Sequence, residues 1–466
     1  MKTKHTILAL ILLMLTIFSF GCKEKDNILS EEKQDTPYLN VPAAKDVIMY
    51  EVNPRVFAEK NALDAITERL DEIKALGANV IWLMPIYEQG ILNAKSADGS
   101  GSPYCIKDYK KIDAEYGTLD DLKHLVREAH KKDMAVILDF VANHTSWDNA
   151  WITEHPDWYT HNEAGDIIYP AGTNWTDVAD LNFGTTENPN LDLYNAFFDA
   201  MKYWFDAANI DGFRCDALDY VPTDFCQKLV TEMRQYTAGR KILLLSEGDR
   251  KQYFNLGFDM DYSWNFYERI KKLYNTPSYT MGSFISNTLT ELNNTPADKS
   301  HLYFTTNHDK SAWEKTDVQL FGSVQVALSA FVLTATIADA PLIYSTQEIG
   351  TESIVSFFKH TNIDWNAKPD ILAEYKRIMT AYHSSKAFST GMLTTYNDNP
   401  DIVYFTRTYN NESILVAVNV CNETKTLTLP VELAGESATN LLTNATETLP
   451  ETMDLQAYQY YLWKVE

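Results

Sequence analysis

Cysteine is scarce, with 5 in 466 residues. Apart from Cys22 they stand singly, as Cys105, Cys215, Cys226 and Cys421, with no CxxC spacing or close pair. That argues against a disulfide framework or a cysteine-ligated zinc site, and they read as small buried apolar side chains. Cationic residues are also few, 40 Lys and Arg against 64 Asp and Glu, a formal net charge of −24. No Lys/Arg cluster occurs beyond the N-terminus, which argues against nucleic acid as a partner. Long apolar runs are missing too. The longest, from Thr6 to Phe20, is short for a membrane span.

What is present fits a globular chain, with 45% hydrophobic and 22% charged residues and length enough for more than one domain. Aromatic residues reach 12%, including 27 Tyr and 10 Trp. They fill a core or stack on sugar rings. The basic start Met1-Lys2-Thr3-Lys4-His5 and the apolar run behind it have the layout of a signal peptide, residues 1–21. Its end, Ser19-Phe20-Gly21-Cys22, resembles a bacterial lipoprotein cleavage site. That resemblance implies lipidation of Cys22, export, and a lipid anchor in a bacterial membrane, at the outer membrane or cell surface. Lys23-Glu24-Lys25-Asp26 either resembles the charged export tag of surface lipoproteins or is a solvated linker. Residues 22–44, with Pro37 and Pro42, read as a tether.

Beyond the tether, strand-like and helix-like stretches alternate. Val47-Ile48-Met49-Tyr50 and Val80-Ile81-Trp82-Leu83-Met84 predict strands. Between them Ile66, Leu70, Ile73 and Leu76 recur at helical spacing up to Gly77. Thr118, with Asp121 three residues on, opens a helix over Leu119–Lys132 that leads to a strand at Ala135–Phe140. Helix Leu191–Ala208 leads to Gly212–Asp216, helix Thr223–Tyr236 to Ile242–Leu245, and Phe258-Asp259-Met260 is a short sixth strand. Phe284–Leu292 precedes Leu302–Thr306, Val318–Ala335 precedes Pro341-Leu342-Ile343-Tyr344, and Ile371–Phe388 is the last helix. Eight strands alternating with helices predict an α/β fold, a closed (β/α)8 TIM barrel over residues 45–390. Residues 145–183, rich in Trp, Asn, Asp and His and without periodicity, form an inserted loop domain after the third strand. Residues 391–466 change to short alternating runs such as Ile414-Leu415-Val416-Ala417-Val418. They predict a C-terminal antiparallel β domain, a β-sandwich.

Four strands end in polar or ionisable residues. These ends are Asp139-Phe140-Val141-Ala142-Asn143-His144, Gly212-Phe213-Arg214-Cys215-Asp216, Leu244-Leu245-Ser246-Glu247 and Phe304-Thr305-Thr306-Asn307-His308-Asp309. Arg214 and Asp216 share a strand face, and burying both is costly unless each is paired. Alone, they read as a structural ion pair. Four such ends together are how a parallel barrel carries catalytic groups.

The four stretches resemble the four signature regions of the α-amylase family of retaining glycoside hydrolases, glycoside hydrolase family 13. Supporting marks are Ser102-Pro103-Tyr104-Cys105-Ile106-Lys107-Asp108-Tyr109, Asp180-Leu181-Asn182 and Ala340-Pro341-Leu342-Ile343-Tyr344-Ser345-Thr346-Gln347-Glu348. Retaining chemistry needs two carboxyl groups flanking the scissile bond. The resemblance makes Asp216 the nucleophile, Glu247 the acid/base and Asp309 the third carboxylate. Arg214 is expected to lower the pKa of Asp216 while Asp139 braces Arg214, and Glu247 is expected to have a raised pKa. Tyr104, His144, Arg214 and His308 are implied as substrate-binding residues.

Asn143 and Asp180 match two ligands of the family's structural calcium site, to which a carbonyl near Tyr220 is a third candidate. The segment at 145–183 is shorter than the usual calcium-holding domain. No organic cofactor is implied, and the oligomeric state is left open. The implied partner is an α-glucan or malto-oligosaccharide. Ala217 favours α-1,4 bonds. Asp219-Tyr220 replaces the Lys-His pair of standard α-amylases, which weakens the leaving-group side and makes short oligosaccharides plausible substrates. An α-1,6-active or transglycosylating member stays open. A glucan-binding protein without activity is the remoter alternative, against which the three carboxylates stand.

Overall fold

The computed structural model describes residues 36–96, 100–248 and 252–466. The expected signal peptide, Cys22 and the tether up to residue 35 lie outside the described residues. Eight strands form one parallel sheet: β1 (Met49–Val52), β2 (Val80–Leu83), β3 (Ala135–Val141), β4 (Gly212–Asp216), β5 (Leu243–Ser246), β6 (Met260–Tyr262), β7 (Ser300–Leu302) and β8 (Leu342–Tyr344). They neighbour one another in chain order, and β8 lies beside β1. A parallel bridge between Tyr303 and Pro341, with Leu342 N–H donating to the Tyr303 carbonyl at 2.8 Å, closes the ring between β7 and β8.

Alternation along each strand decides what faces the barrel axis. Met49, Val80, Trp82, Ala135, Ile137, Leu243, Leu245, Met260 and Leu342 pack together as the inner core. Tyr50, Ile81, Val136, Leu138, Phe213, Cys215 and Leu244 belong to the outer core with the helices. Continuing the inner parity puts Glu51, Asp139, Arg214 and Asp216 on the inner face at the C-terminal ends. Apolar residues fill the lower barrel and charged ones crowd its mouth. Gly212, at φ +155°, starts β4 where a Cβ would stand 1.9 Å from the Leu243 carbonyl oxygen. Only a glycine lets β4 approach β5 so closely.

The helices follow their caps. Leu119–Lys131 begins with Thr118 and Asp121 in a reciprocal capping box. The helix expected over residues 64–76 is instead two, Ala62–Glu68 and Leu70–Ala75, parted at Arg69. The one expected over 318–335 splits into Asp317–Phe321 and Val324–Ile337 at Gly322, which takes φ +87°. Trp264–Asn275, not anticipated from the sequence, connects β6 to Met281–Asn294. Among the described residues no helix is long and apolar enough to cross a membrane.

The segment after β3 is anchored by a two-stranded ribbon, His144–Ser146 against Val178–Asp180, in which His144 faces Asp180. The C-terminal region has a six-stranded antiparallel sheet running from Met392–Tyr396 at one edge to Ala445–Thr448 at the other. The ribbon of Lys425–Thr428 and Thr452–Leu455 supplies Leu427 and Leu455 to the core that Leu415, Ala417 and Trp463 line from the sheet. Buried Arg407 reaches back to the barrel, donating to the carbonyls of Ile337 at 3.1 Å and Ala387 at 3.1 Å. The Ile337 carbonyl, the last of its helix, thereby gains a partner.

Candidate active site

Arg214 is the fixed point. It is fully buried beneath the barrel mouth, with its guanidinium near the rings of Trp82, Tyr104 and Tyr262. Nη1 donates to Asp139 Oδ1 at 2.7 Å and to Asp216 Oδ1 at 2.7 Å. Nη2 lies 2.7 Å from Glu247 Oε2, close as an ion pair but not aligned as a hydrogen bond. Nε donates to the Tyr262 hydroxyl at 3.1 Å. One cation thus holds three carboxyl groups from β3, β4 and the end of β5. The expected brace by Asp139 is present. Arg214, expected among the substrate-binding residues, is fully buried and is not among those lining the cleft.

The turn after β4 aims a second donor. Ala217 takes a left-handed conformation, φ 49° and ψ 37°, and its N–H donates to Glu247 Oε2 at 2.9 Å. Non-glycine residues adopt that region at a cost.

Around this centre Tyr104, His144, Asp216, Glu247, His308 and Asp309 line one cleft of about 650 Å³. All six are residues singled out from the sequence, and the structure places them around one cleft. Their hydrogen bonds were less visible. His308 Nδ1 pairs with buried Glu51, while Nε2 lies 2.8 Å from the Tyr104 hydroxyl and 3.4 Å from Asp309 Oδ2. The Tyr104 hydroxyl donates in turn to Asp139 Oδ2 at 3.1 Å. His144 has protein partners on both ring nitrogens, Asn143 Nδ2 at 3.1 Å and the Tyr104 carbonyl at 3.1 Å.

Burial, opposed or reinforced by neighbouring charges, sets the ionisation states. Burial pushes Glu247 up to about 7; Arg214 pulls it down, but Asp216 and Asp309 add to the rise. Asp216 corrects an expectation: Arg214 does lower it, yet burial with Asp139 and Asp309 outweighs that cation and leaves it at about 6. Burial holds Asp139 up at about 6 as well. Burial alone would depress His308, but Asp309 and Glu51 raise it to about 9. Burial takes His144 down to about 4 against the opposing pull of the Tyr104 carbonyl and Asp177, and it stays neutral. Of the two carboxyl groups Asp216 is held lower than Glu247, the order in which one can be ionised while the other keeps its proton.

Glu51, Trp82 and Tyr262 are the members that sequence reasoning missed. Glu51 sits one residue past the predicted first strand, two from Met49 on the inner face. An acidic residue at the end of an apolar run was the available signal.

Asn143 and Asp180 are not among the residues lining the cleft. The ribbon register brings them close, because Asn143 precedes the residue facing Asp180. The Asn143 amide nitrogen is engaged by His144, leaving its Oδ1 and the Asp180 carboxylate as oxygen donors. Calcium takes six to eight oxygens. Among the described residues no group of three or more His, Cys, Asp or Glu is placed to share an ion, and nearby Asp177 is paired with Lys95 Nζ at 3.2 Å. The donor set therefore fits calcium in part.

The family model for the alpha amylase catalytic domain matches residues 51–392. The chain belongs to that family. A maltogenic amylase C-terminal domain model matches residues 392–462 of this α-amylase-family chain. Alpha-amylase MalA of Haloarcula japonica is 26% identical over 432 residues, 87% of this chain and 59% of that protein. An oligo-1,6-glucosidase of a Bacillus species, strain F5, is 30% identical over 230 residues, 42% of this chain and 43% of that protein. The chain therefore spans 59% or less of the length of these curated relatives. In fold it is similar to the crystal structure of a noncanonic maltogenic alpha-amylase AmyB from Thermotoga neapolitana. That similarity has a TM-score of 0.79 at 23% identity and covers 91% of this chain and 99% of that one.

Proposed function

We propose that this chain is a retaining glycosidase of α-linked glucans and malto-oligosaccharides. The observation that carries this reading is the sharing of Arg214 by Asp216 and Glu247 at the floor of a cleft that also holds Asp309. Two carboxyl groups on one guanidinium favour the close spacing of a retaining pair, about 5–5.5 Å, over the wider inverting one. An Asp216 oxygen attacks the anomeric carbon while the glycosidic C–O bond breaks and Glu247 gives its proton to the departing oxygen. Glu247 then takes a proton from water, which attacks the same carbon and frees Asp216. Asp309, His308 and Tyr104 hold the sugar being cut. Proton NMR of the first product tests the reading. The α-anomer is expected, and release of the β-anomer overturns it.

A second reading concerns the linkage. The names of the Bacillus relative and of a 32% identical glucan 1,6-alpha-glucosidase of Streptococcus pneumoniae favour α-1,6 bonds or a transglycosylating variant. Ala217 beside the nucleophile favours α-1,4. Rates on maltotriose, pullulan, panose and isomaltose separate the two. The export and anchoring expected from Cys22 are part of the same proposal, with membrane attachment lost in Cys22→Ser. So is a calcium ion held by Asn143 and Asp180, for which a lowered Tm in EGTA is the check.

A further inference from the structure

Trp313 has no sequence motif to account for it, yet it stands 62% exposed on the rim of the cleft. It belongs to a single π-type turn, Lys310–Glu314, that starts directly after Asp309. Such turns cluster at functional sites. The Trp313 ring meets Phe358 edge-on at 5.2 Å and Phe357 at 5.7 Å, and Phe357 in turn meets Tyr104 at 5.8 Å and His308 at 5.9 Å. An unbroken file of rings therefore leads from the expected sugar platform outward to solvent. Its base is rigid: buried Arg55 donates through Nη1 to the carbonyls of Phe357 at 2.8 Å and Gly101 at 3.0 Å.

The direction of this file follows from the proton donor. Glu247 faces the leaving group, and the turn at Leu218 is tied to its backbone, with Leu218 N–H on the Glu247 carbonyl at 3.1 Å. The leaving-group sugar therefore lies toward Tyr220. Trp313 and Phe358 adjoin Asp309 and the Tyr104–His308 side instead.

We propose that Trp313 and Phe358 form a subsite for a second glucosyl unit on the glycone side, next to the sugar that is cut. This rests on the glycosidase reading above and sharpens it. The cleft would continue past the cut sugar, so a chain with two or more units on that side is accommodated, unlike a pocket that admits a single terminal glucose. Tryptophan is among the side chains enriched where a few residues dominate the binding energy.

Cleavage positions on maltopentaose and isomaltopentaose labelled at the reducing end test it. In Trp313→Ala the ratio of cuts with two or more glycone units to cuts with one should fall about tenfold. Phe358→Ala should move it the same way, and Trp313→Phe should restore most of it. A ratio within twofold of wild type, or a shift toward shorter leaving groups, overturns the subsite. Affinity is read separately by calorimetry with maltotriose on Asp216→Asn, where adding Trp313→Ala should weaken binding about tenfold. Unchanged affinity there overturns the subsite as well. A wild-type chain that cleaves neither substrate yet loses affinity on Trp313→Ala would sink the glycosidase reading and leave the subsite standing.

Discussion

Glu51 and His308 are paired inside the barrel, with neither side chain open to solvent to any useful extent. The pair joins β1 to the motif after β7 and is continued by Asp309 on one side and Tyr104, Asp139 and Arg214 on the other. His308 is held at about 9, above its ordinary value, so its contribution to stability is complete below about pH 6.5 and is lost as pH rises through 9. Glu51→Gln removes one of the two carboxylates that hold the imidazolium. The alkaline loss of Tm should move to lower pH, and kcat/KM at pH 7 should fall about tenfold. Melting curves from pH 6 to 10 check the first; an unshifted alkaline limb would show that Asp309 alone sets the charge.

The pH profile of turnover should be a narrow bell. Asp216 must be ionised and sits at about 6, while Glu247 must be protonated and sits at about 7. Because the two share Arg214, the limbs report the pair and not either residue alone. A kcat/KM profile with its maximum between about 6 and 7 is expected. A plateau reaching pH 9 would contradict the crowding of carboxylates at the barrel mouth.

Asp216→Asn should separate activity from stability. Turnover should fall by on the order of 10⁴-fold, since a neutral amide replaces the attacking carboxylate. Stability should rise at pH 8, because a carboxylate raised to about 6 destabilises the fold once pH passes through that value. The gain should vanish below pH 4, where both states are protonated. Arg214 keeps Asp139 and Glu247 as partners in the variant. A lower Tm at pH 8 would mean that the Asp216 pair is worth more than its burial costs.

On the leaving-group side Asp219 accepts from the Tyr253 hydroxyl at 2.7 Å, whereas Tyr220 is 53% exposed and 5.3 Å from Trp175. Tyr220 and Trp175 are therefore the groups free to stack on a leaving sugar. Tyr220→Ala should raise KM for maltotetraose several-fold with little change for maltotriose cut at its last bond. A steep gain per added glucose that survives the substitution would assign the contact to other residues.

Strand parity made much of this site legible beforehand. Arg214 and Asp216 two apart, and Asp139 two beyond Ile137, announce an inner charged face from the sequence alone. Glu51 escaped because its own strand looks purely apolar up to Tyr50, and its partner is 257 residues away. The breaks at Arg69 and Gly322 escaped because apolar spacing carries on through them; helical periodicity is blind to one residue leaving the helix. Helix Trp264–Asn275 packs through Phe266 against Phe284 and Tyr303, a pairing no local pattern encodes. The downward shift expected for Asp216 failed for a different reason. It counted the neighbouring cation and neither the burial of the carboxyl group nor the other carboxylates beside it.

The left-handed turn at Ala217 couples two properties that are usually discussed apart. Its side chain lines the cleft, and its amide hydrogen rests on Glu247. A bulkier, β-branched residue at 217 would alter the shape offered to the bond and resist the positive φ at once. Any drift of that amide away from Glu247 removes a donor to its ionised form and makes the acid weaker. A lineage changing its preferred linkage at this position would therefore retune its working pH in the same mutational step.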